Sequence, residues 1–208
     1  ESGQGITGAK LTGSNNVAVG YRSGLLLQGA AARNTLIGTL SGDGLNTGVD
    51  NTSLGYNALS TETSGGRSVA VGSQALGTQN VGSGTSAYNV AIGFFAGNAI
   101  TTGINNTIMG GQAGDALTDA DFNVAIGRLA LTADTLGSRS VALGHAALST
   151  QNFTSDTNTY NVAVGFSAGL AVTTGVQNTL IGALAGDSIN TGNRNTILGY
   201  NSANSLAD

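Results

Sequence analysis

A five-residue phrase that closes on glycine runs the length of the chain: Asn, then Val or Thr, then a variable residue, then a large aliphatic, then Gly. The closing glycines are Gly20, Gly38, Gly55, Gly72, Gly93, Gly110, Gly127, Gly144, Gly165, Gly182 and Gly199, spaced 18, 17, 17, 21, 17, 17, 17, 21, 17 and 17 residues apart. A fixed period of this size marks a solenoid, in which each repeat buries its apolar face only by stacking on its neighbours. The expected fold is all-β: a parallel β-roll of about eleven coils of 17–21 residues. Successive coils at a strand spacing of ~4.8 Å would build a rod roughly 50 Å long.

Each position of the phrase forms a column. Four residues before the glycine stand Asn16, Asn34, Asn51, Asn89, Asn106, Asn123, Asn161, Asn178 and Asn195, with Ser68 and Ser140 replacing Asn in two coils. Asn repeated at one turn is expected to bond the backbone and its own equivalents in adjacent coils, a structural ladder rather than a ligand site. One residue before the glycine stand Val19, Ile37, Leu54, Val71, Ile92, Met109, Ile126, Leu143, Val164, Ile181 and Leu198. These are all large aliphatics and are expected to form the core column, so Ile126→Asp should disrupt stacking. The Val/Thr position two residues earlier indicates a short strand. The residue between them faces the other way, and two short strands per coil are expected. Three after the glycine the residue is always Ala or Ser, which implies close passage of two backbones.

The next position reads Gly, Gly, Leu, Leu and then repeats, which reveals a longer period of 72 residues. Arg67-Ser68-Val69 recurs as Arg139-Ser140-Val141, and Tyr88-Asn89-Val90 as Tyr160-Asn161-Val162. Four coils therefore make one superrepeat, whose fourth coil carries a longer excursion (78–88 and 150–160). One repeat domain is expected over 1–208, with a leader or cap at 1–15, coils over 16–204 and a tail at 205–208.

Composition narrows the function. The chain has 34 glycines, no proline and no cysteine, and only 9% of its residues are charged, for a net charge of −4. Collagen needs Pro and a three-residue glycine period, and neither is present. Clustered Lys and Arg for neutralising phosphates are missing, so no nucleic-acid partner is expected. No run approaches the ~20 apolar residues that span a membrane, so no membrane insertion is expected. The lack of Cys removes disulfides and thiolate metal sites and fits an extracellular or virion setting.

The segments Ser68-Val-Ala-Val-Gly-Ser-Gln-Ala and Ser140-Val-Ala-Leu-Gly-His-Ala-Ala resemble the head repeats of YadA-type trimeric autotransporter adhesins. Asn51-Thr-Ser-Leu-Gly-Tyr-Asn-Ala-Leu and Thr191-Gly-Asn-Arg-Asn-Thr-Ile-Leu-Gly-Tyr-Asn look like repeats of phage tail fibres and large bacterial surface proteins. The resemblance covers about residues 13–204 and implies a β-roll, with three chains side by side around a buried axis. The coils here are longer than those of the adhesin heads, and Asn outnumbers Ser at the turn.

Three features of the sequence could carry chemistry at a site. His145, the one histidine, has no evident nucleophile or orienting partner in sequence and is expected at the surface. Asp43, Asp115 and Asp187 repeat at one carboxylate per four coils, too sparse for a calcium shell of six to eight oxygens, so turn roles are expected and no metal or cofactor. The aromatics Tyr21, Tyr56, Phe94, Phe95, Phe166 and Tyr200 recur just after the glycine; packing between neighbouring chains explains them more simply than sugar or receptor contact.

The expected function is therefore a non-enzymatic structural fibre or adhesin segment, extracellular, of a bacterial cell surface or a phage tail fibre. Its expected partner is itself, as a homo-oligomer, and the resemblance implies a trimer; a cell-surface glycan or protein receptor is the second partner class. The alternative is a subunit of an extracellular filament stacked end to end. A glycan-active solenoid enzyme, which needs paired carboxylates on one face, and an ice-binding protein with a flat Thr face rank below both. The Val/Thr column is expected to be largely buried, which disfavours ice binding.

Overall fold

A computed structural model describes residues 11–203. Residues 1–10 of the leader expected over 1–15, Asn204, and the tail expected over 205–208 lie outside the described residues. Leu11 and Thr12 add a rung below the first coil, Leu11 pairing in parallel with Gly29.

Eleven three-residue strands, one per coil, form a single parallel sheet. They are β1 (Val17–Val19), β2 (Thr35–Ile37), β3 (Thr52–Leu54), β4 (Val69–Val71), β5 (Val90–Ile92), β6 (Thr107–Met109), β7 (Val124–Ile126), β9 (Val141–Leu143), β11 (Val162–Val164), β12 (Thr179–Ile181) and β13 (Thr196–Leu198). Each pairs in register with its neighbours, so Thr107 lies between Val90 and Val124. Among the described residues no second strand recurs in every coil. The sequence expectation of two strands per coil therefore gives way to one strand and a return path of turns. The excursion of the fourth superrepeat coil adds only a two-stranded parallel pair, β8 (Gly137–Ser138) with β10 (Thr157–Asn158).

The return path holds together because its backbone groups bond from coil to coil. Three positions per coil besides the closing glycine adopt left-handed geometry. In the seventh coil these are Phe122 (φ 59°), Leu129 (φ 62°) and Leu131 (φ 52°). Such residues cost about 1–2 kcal/mol each in isolation. Here the N–H of Leu129 donates to Gly111 O at 3.2 Å and that of Leu131 to Ala147 O at 3.1 Å, so the ladder holds the conformation. The closing glycine itself has no substitute. Gly127 sits at φ 132°, and a Cβ there would lie 2.4 Å from Gly144 O.

The core corrects the strand parity expected from sequence. The middle residue of each strand points inward: Leu36, Ser53, Ala70, Ala91, Ile108, Ala125, Ala142, Ala163 and Leu180 are fully buried. The large aliphatic column that sequence placed in the core points outward. Val19, Ile37, Leu54, Met109, Leu143, Ile181 and Leu198 are exposed, and Val71, Ile92, Ile126 and Val164 are half-buried. The Val/Thr column expected to be buried shares this outer face and is mostly half-exposed. The physical reason is room: the space between strand and return path is one thin layer, and it fills by complementation. Where the fourth residue after the closing glycine is Gly, a large side chain enters from the strand centre or from three residues further on. A Cβ at Gly114, for example, would meet Leu117 Cδ1 at 2.8 Å and Ile108 Cδ1 at 3.2 Å. Where that fourth residue is Leu, as at Leu59, Leu76, Leu131 and Leu148, the strand centre is Ser or Ala. Of the run Leu25–Leu27, only Leu27 enters this core.

In those Leu coils the position three further on becomes polar and buried: Glu62, Gln79, Asp134 and Gln151. These residues explain why Ser interrupts the Asn ladder. In ordinary coils the Asn carboxamide accepts from the next Asn N–H and donates to a turn carbonyl; Asn89 Oδ1 accepts from Asn106 N at 2.9 Å, and Asn89 Nδ2 donates to Gly103 O at 2.7 Å. The corresponding contacts of Asn34, Asn51, Asn106 and Asn178 are all present. Ser68 is too short to continue the column. Gln79 fills the gap, donating to Ser68 Oγ at 2.9 Å and accepting from Asn89 Nδ2 at 2.9 Å. Gln151 does the same between Ser140 and Asn161.

Candidate interaction face

The outer surface of the sheet carries two columns side by side along its described length: the large aliphatic column, and a column of Val interrupted by Thr35, Thr52, Thr107, Thr179 and Thr196. A lone sheet face of this kind leaves unpaired apolar surface in water. Its two margins are set by the turns that enter and leave each strand. One margin is the residue just before each Asn or Ser of the ladder: Asn15, Arg33, Asp50, Arg67, Tyr88, Asn105, Phe122, Arg139, Tyr160, Gln177 and Arg194. The other is the residue just after each closing glycine, among them Tyr21, Tyr56, Phe94, Arg128, His145, Phe166 and Tyr200.

Eight of the ten aromatics are exposed, and all eight stand on these two margins: Tyr88, Phe122 and Tyr160 on the first, Tyr21, Tyr56, Phe94, Phe166 and Tyr200 on the second. Exposure reaches 55% at Phe166 and 78% at Tyr200. Four of the six arginines (Arg33, Arg67, Arg139 and Arg194) share the first margin. Aromatic residues and Arg are residue types that interfaces between proteins enrich relative to the rest of the surface. Sequence reasoning found the second margin but missed the first, because the column before Asn mixes Arg, Asp, Tyr, Phe and amides and shows no shared chemistry until it is stacked.

Side chains along each margin order one another. The Arg67 guanidinium lies 5.6 Å from the centroid of the Tyr88 ring, and that of Arg139 lies 5.0 Å from Phe122. Arg33 grips Asp50 through two hydrogen bonds, with Nη2 to Oδ2 at 2.9 Å, and this contact holds the Asp50 carboxyl below the usual range. His145 is exposed and stacks on Phe166, ring centroids 5.2 Å apart and planes within 10°. Phe95 is half-buried and tilts against Phe94 at 4.5 Å.

The three repeated aspartates stand four coils apart. Asp115 accepts from Thr132 Oγ1 at 2.6 Å, and Asp43 lies 4.0 Å from Arg22. Burial raises the Asp43 carboxyl and the Asp121 carboxyl above the ordinary range. Among the described residues no cluster of three or more His, Asp or Glu is arranged to hold a metal ion, and no helix is long and apolar enough to cross a membrane. No family model, curated protein or solved structure matches the chain.

Proposed function

We propose that the chain is a non-enzymatic structural segment of an extracellular fibre or adhesin that associates with copies of itself through the outer face of its sheet. The observation that carries this reading is the concentration of eight exposed aromatics and four arginines on the borders of one apolar face. A surface of scattered apolar residues needs no partner, whereas a continuous face bordered by anchors does. The return path, whose polar turns bond from coil to coil, is then the surface left to solvent and to any glycan or protein receptor. The resemblance to trimeric adhesin heads favours three chains around the buried face, at a bacterial cell surface or on a virion.

Sedimentation velocity across a dilution series tests the reading. The expected result is a stable oligomer that Leu143→Asp or Ile181→Asp converts to a folded monomer. A 20.4 kDa monomer at all concentrations would overturn it. Electron microscopy separates discrete short rods from long filaments, the latter being the signature of end-to-end stacking.

A further inference from the structure

The column just after the closing glycine alternates through its first six coils between a ring and a small residue: Tyr21, Thr39, Tyr56, Ser73, Phe94 and Gly111. From this alternation we infer that Tyr21, Tyr56 and Phe94 form a binding strip for an extended β-linked polysaccharide of the cellulose or chitin type. The inference rests on the proposed extracellular adhesive role and names the ligand class. It leaves the two outer columns of the sheet and the Arg-bearing margin to self-association.

Backbone bonds fix the spacing of the strip. Tyr21 O accepts from the N–H of Leu40 at 2.9 Å and Thr39 O from that of Asn57 at 3.0 Å. Tyr56 O accepts from the N–H of Gln74 at 2.8 Å and Ser73 O from that of Phe95 at 3.0 Å, so each residue of the column advances one coil. Rings on every second coil therefore recur at about 10 Å, two steps of the sheet. In a flat β-linked chain each sugar is turned over relative to the last, and the disaccharide repeat has that same length. Alternate sugars would lay the same C–H-bearing face on Tyr21, Tyr56 and Phe94, while the sugars between them pass over Thr39 and Ser73. A helical, α-linked glucan offers no such straight repeat. The three rings are 63%, 53% and 56% exposed. Phe95 tilts against Phe94 with centroids 4.5 Å apart and steadies that ring. In the adjacent column the half-exposed amides of Asn57 and Gln74 offer donors and acceptors to sugar hydroxyls. The strip ends where the alternation does: Arg128 takes the seventh coil, and His145 stacks on Phe166 and occupies one face of that ring.

Isothermal titration calorimetry with cellohexaose, chitohexaose and maltohexaose tests the strip. The expected result is binding of cellohexaose or chitohexaose and none of maltohexaose, and which of the first two binds identifies the sugar. Tyr56→Ala and Phe94→Ala should each weaken binding on the order of tenfold, the scale of one lost stacking contact. Tyr88→Ala, on the other margin, should leave it unchanged. A Cβ at Gly111 would meet only Phe94 O, at 4.0 Å, so the sixth coil accepts a side chain. Phe94→Ala combined with Gly111→Phe thus keeps the number of rings and moves one of them by a single coil. This double variant should bind as weakly as Phe94→Ala alone. Native affinity in the double variant, equal binding of maltohexaose, or no binding of either β-linked hexasaccharide would overturn the strip. Sedimentation of the same variants separates the strip from self-association, and the expected result is an unchanged oligomer that binds sugar weakly. Loss of the oligomer in Tyr56→Ala or Phe94→Ala would assign the rings to the contact between copies and overturn the strip. A native chain that binds sugar as a monomer would remove the self-association alone, and a native oligomer that binds none would remove the strip alone.

Discussion

Gln79 Nε2 donates to Glu62 Oε2 across 3.1 Å in the interior of the solenoid, and both side chains are fully buried. The relation recurs 72 residues on, where Gln151 Nε2 donates to Asp134 Oδ2 across 2.5 Å. Among the described residues no cation forms an ion pair with Glu62. Its Oε1 accepts from the N–H of Ser64 and Gly65, and its Oε2 from Gln79 and the N–H of Val81. The buried carboxyl group is thus satisfied by hydrogen-bond donors on both oxygens.

That arrangement has a fixed polarity. Gln79 Oε1 is already taken by Asn89 Nδ2, so the Gln79 amide cannot flip without breaking the ladder. Glu62→Gln would turn an acceptor into a donor facing other donors, at either orientation of the new amide. The expected cost is about 1–3 kcal/mol for each donor left unpaired. Urea denaturation measures it, and an unchanged midpoint would show that the relay does not run in this direction.

At Asp134 the same burial has a pH signature. Desolvation pushes its carboxyl above the usual range, against the hydrogen bonds from Gln151 and from the N–H groups of Phe153 and Gly137. Between the ordinary carboxylate value and the raised one, the folded chain holds a proton that the unfolded chain has released. Stability attributable to Asp134 is therefore full at acid pH and falls as pH rises through that window. Asp43 and Asp121 share the sign and Asp50 opposes it, so the useful quantity is the difference between the native chain and Asp134→Asn. That difference should shift against the native chain as pH rises above the ordinary carboxylate value. Denaturation series at several pH values that give a constant difference would remove the linkage.

The closing glycine allows a direct test of coil spacing. Gly127→Ala places a methyl 2.4 Å from Gly144 O at a backbone angle that L residues avoid. Strain and overpacking together should cost on the order of 3 kcal/mol or more. Chemical denaturation with native-like stability would mean that adjacent coils can separate there at little cost.

The period, the number of coils and the Asn ladder were all legible in the chain, because each leaves a single residue type at a fixed interval. Strand parity was not. Ile126 and Met109 look like core by size, whereas the true interior column, Ala125 and Ile108, is variable and reads as surface. The signal lay in covariation within a coil: Ile108 goes with Gly114, and Ala125 with Leu131, so that one thin layer stays filled. The buried relays were legible only from Ser68 and Ser140, the two breaks in the Asn column, taken together with Gln79 and Gln151 eleven residues later. Two of the left-handed columns left no trace, because coil-to-coil hydrogen bonds hold Phe122 and Leu129 in a conformation that glycine would normally announce, whereas the column of Leu131 is marked by Gly24, Gly42, Gly97, Gly114, Gly169 and Gly186.

The parity itself is open to a paired substitution. Ile108 is fully buried at the centre of β6, and Ile126 is half-buried on the outer face of β7. Ile108→Asp buries a charge with no partner and should abolish the cooperative unfolding transition, since such a charge costs several kcal/mol against a total stability of only about 5–15 kcal/mol. Ile126→Asp puts the same carboxylate on the sheet face, where a single chain can hydrate it. It should leave a folded solenoid by circular dichroism and act on association instead, lowering the oligomer fraction in sedimentation. Equal unfolding by both variants in the dissociated chain would restore the large aliphatic column to the core. A folded Ile108→Asp would show that the middle of the strand is not the interior.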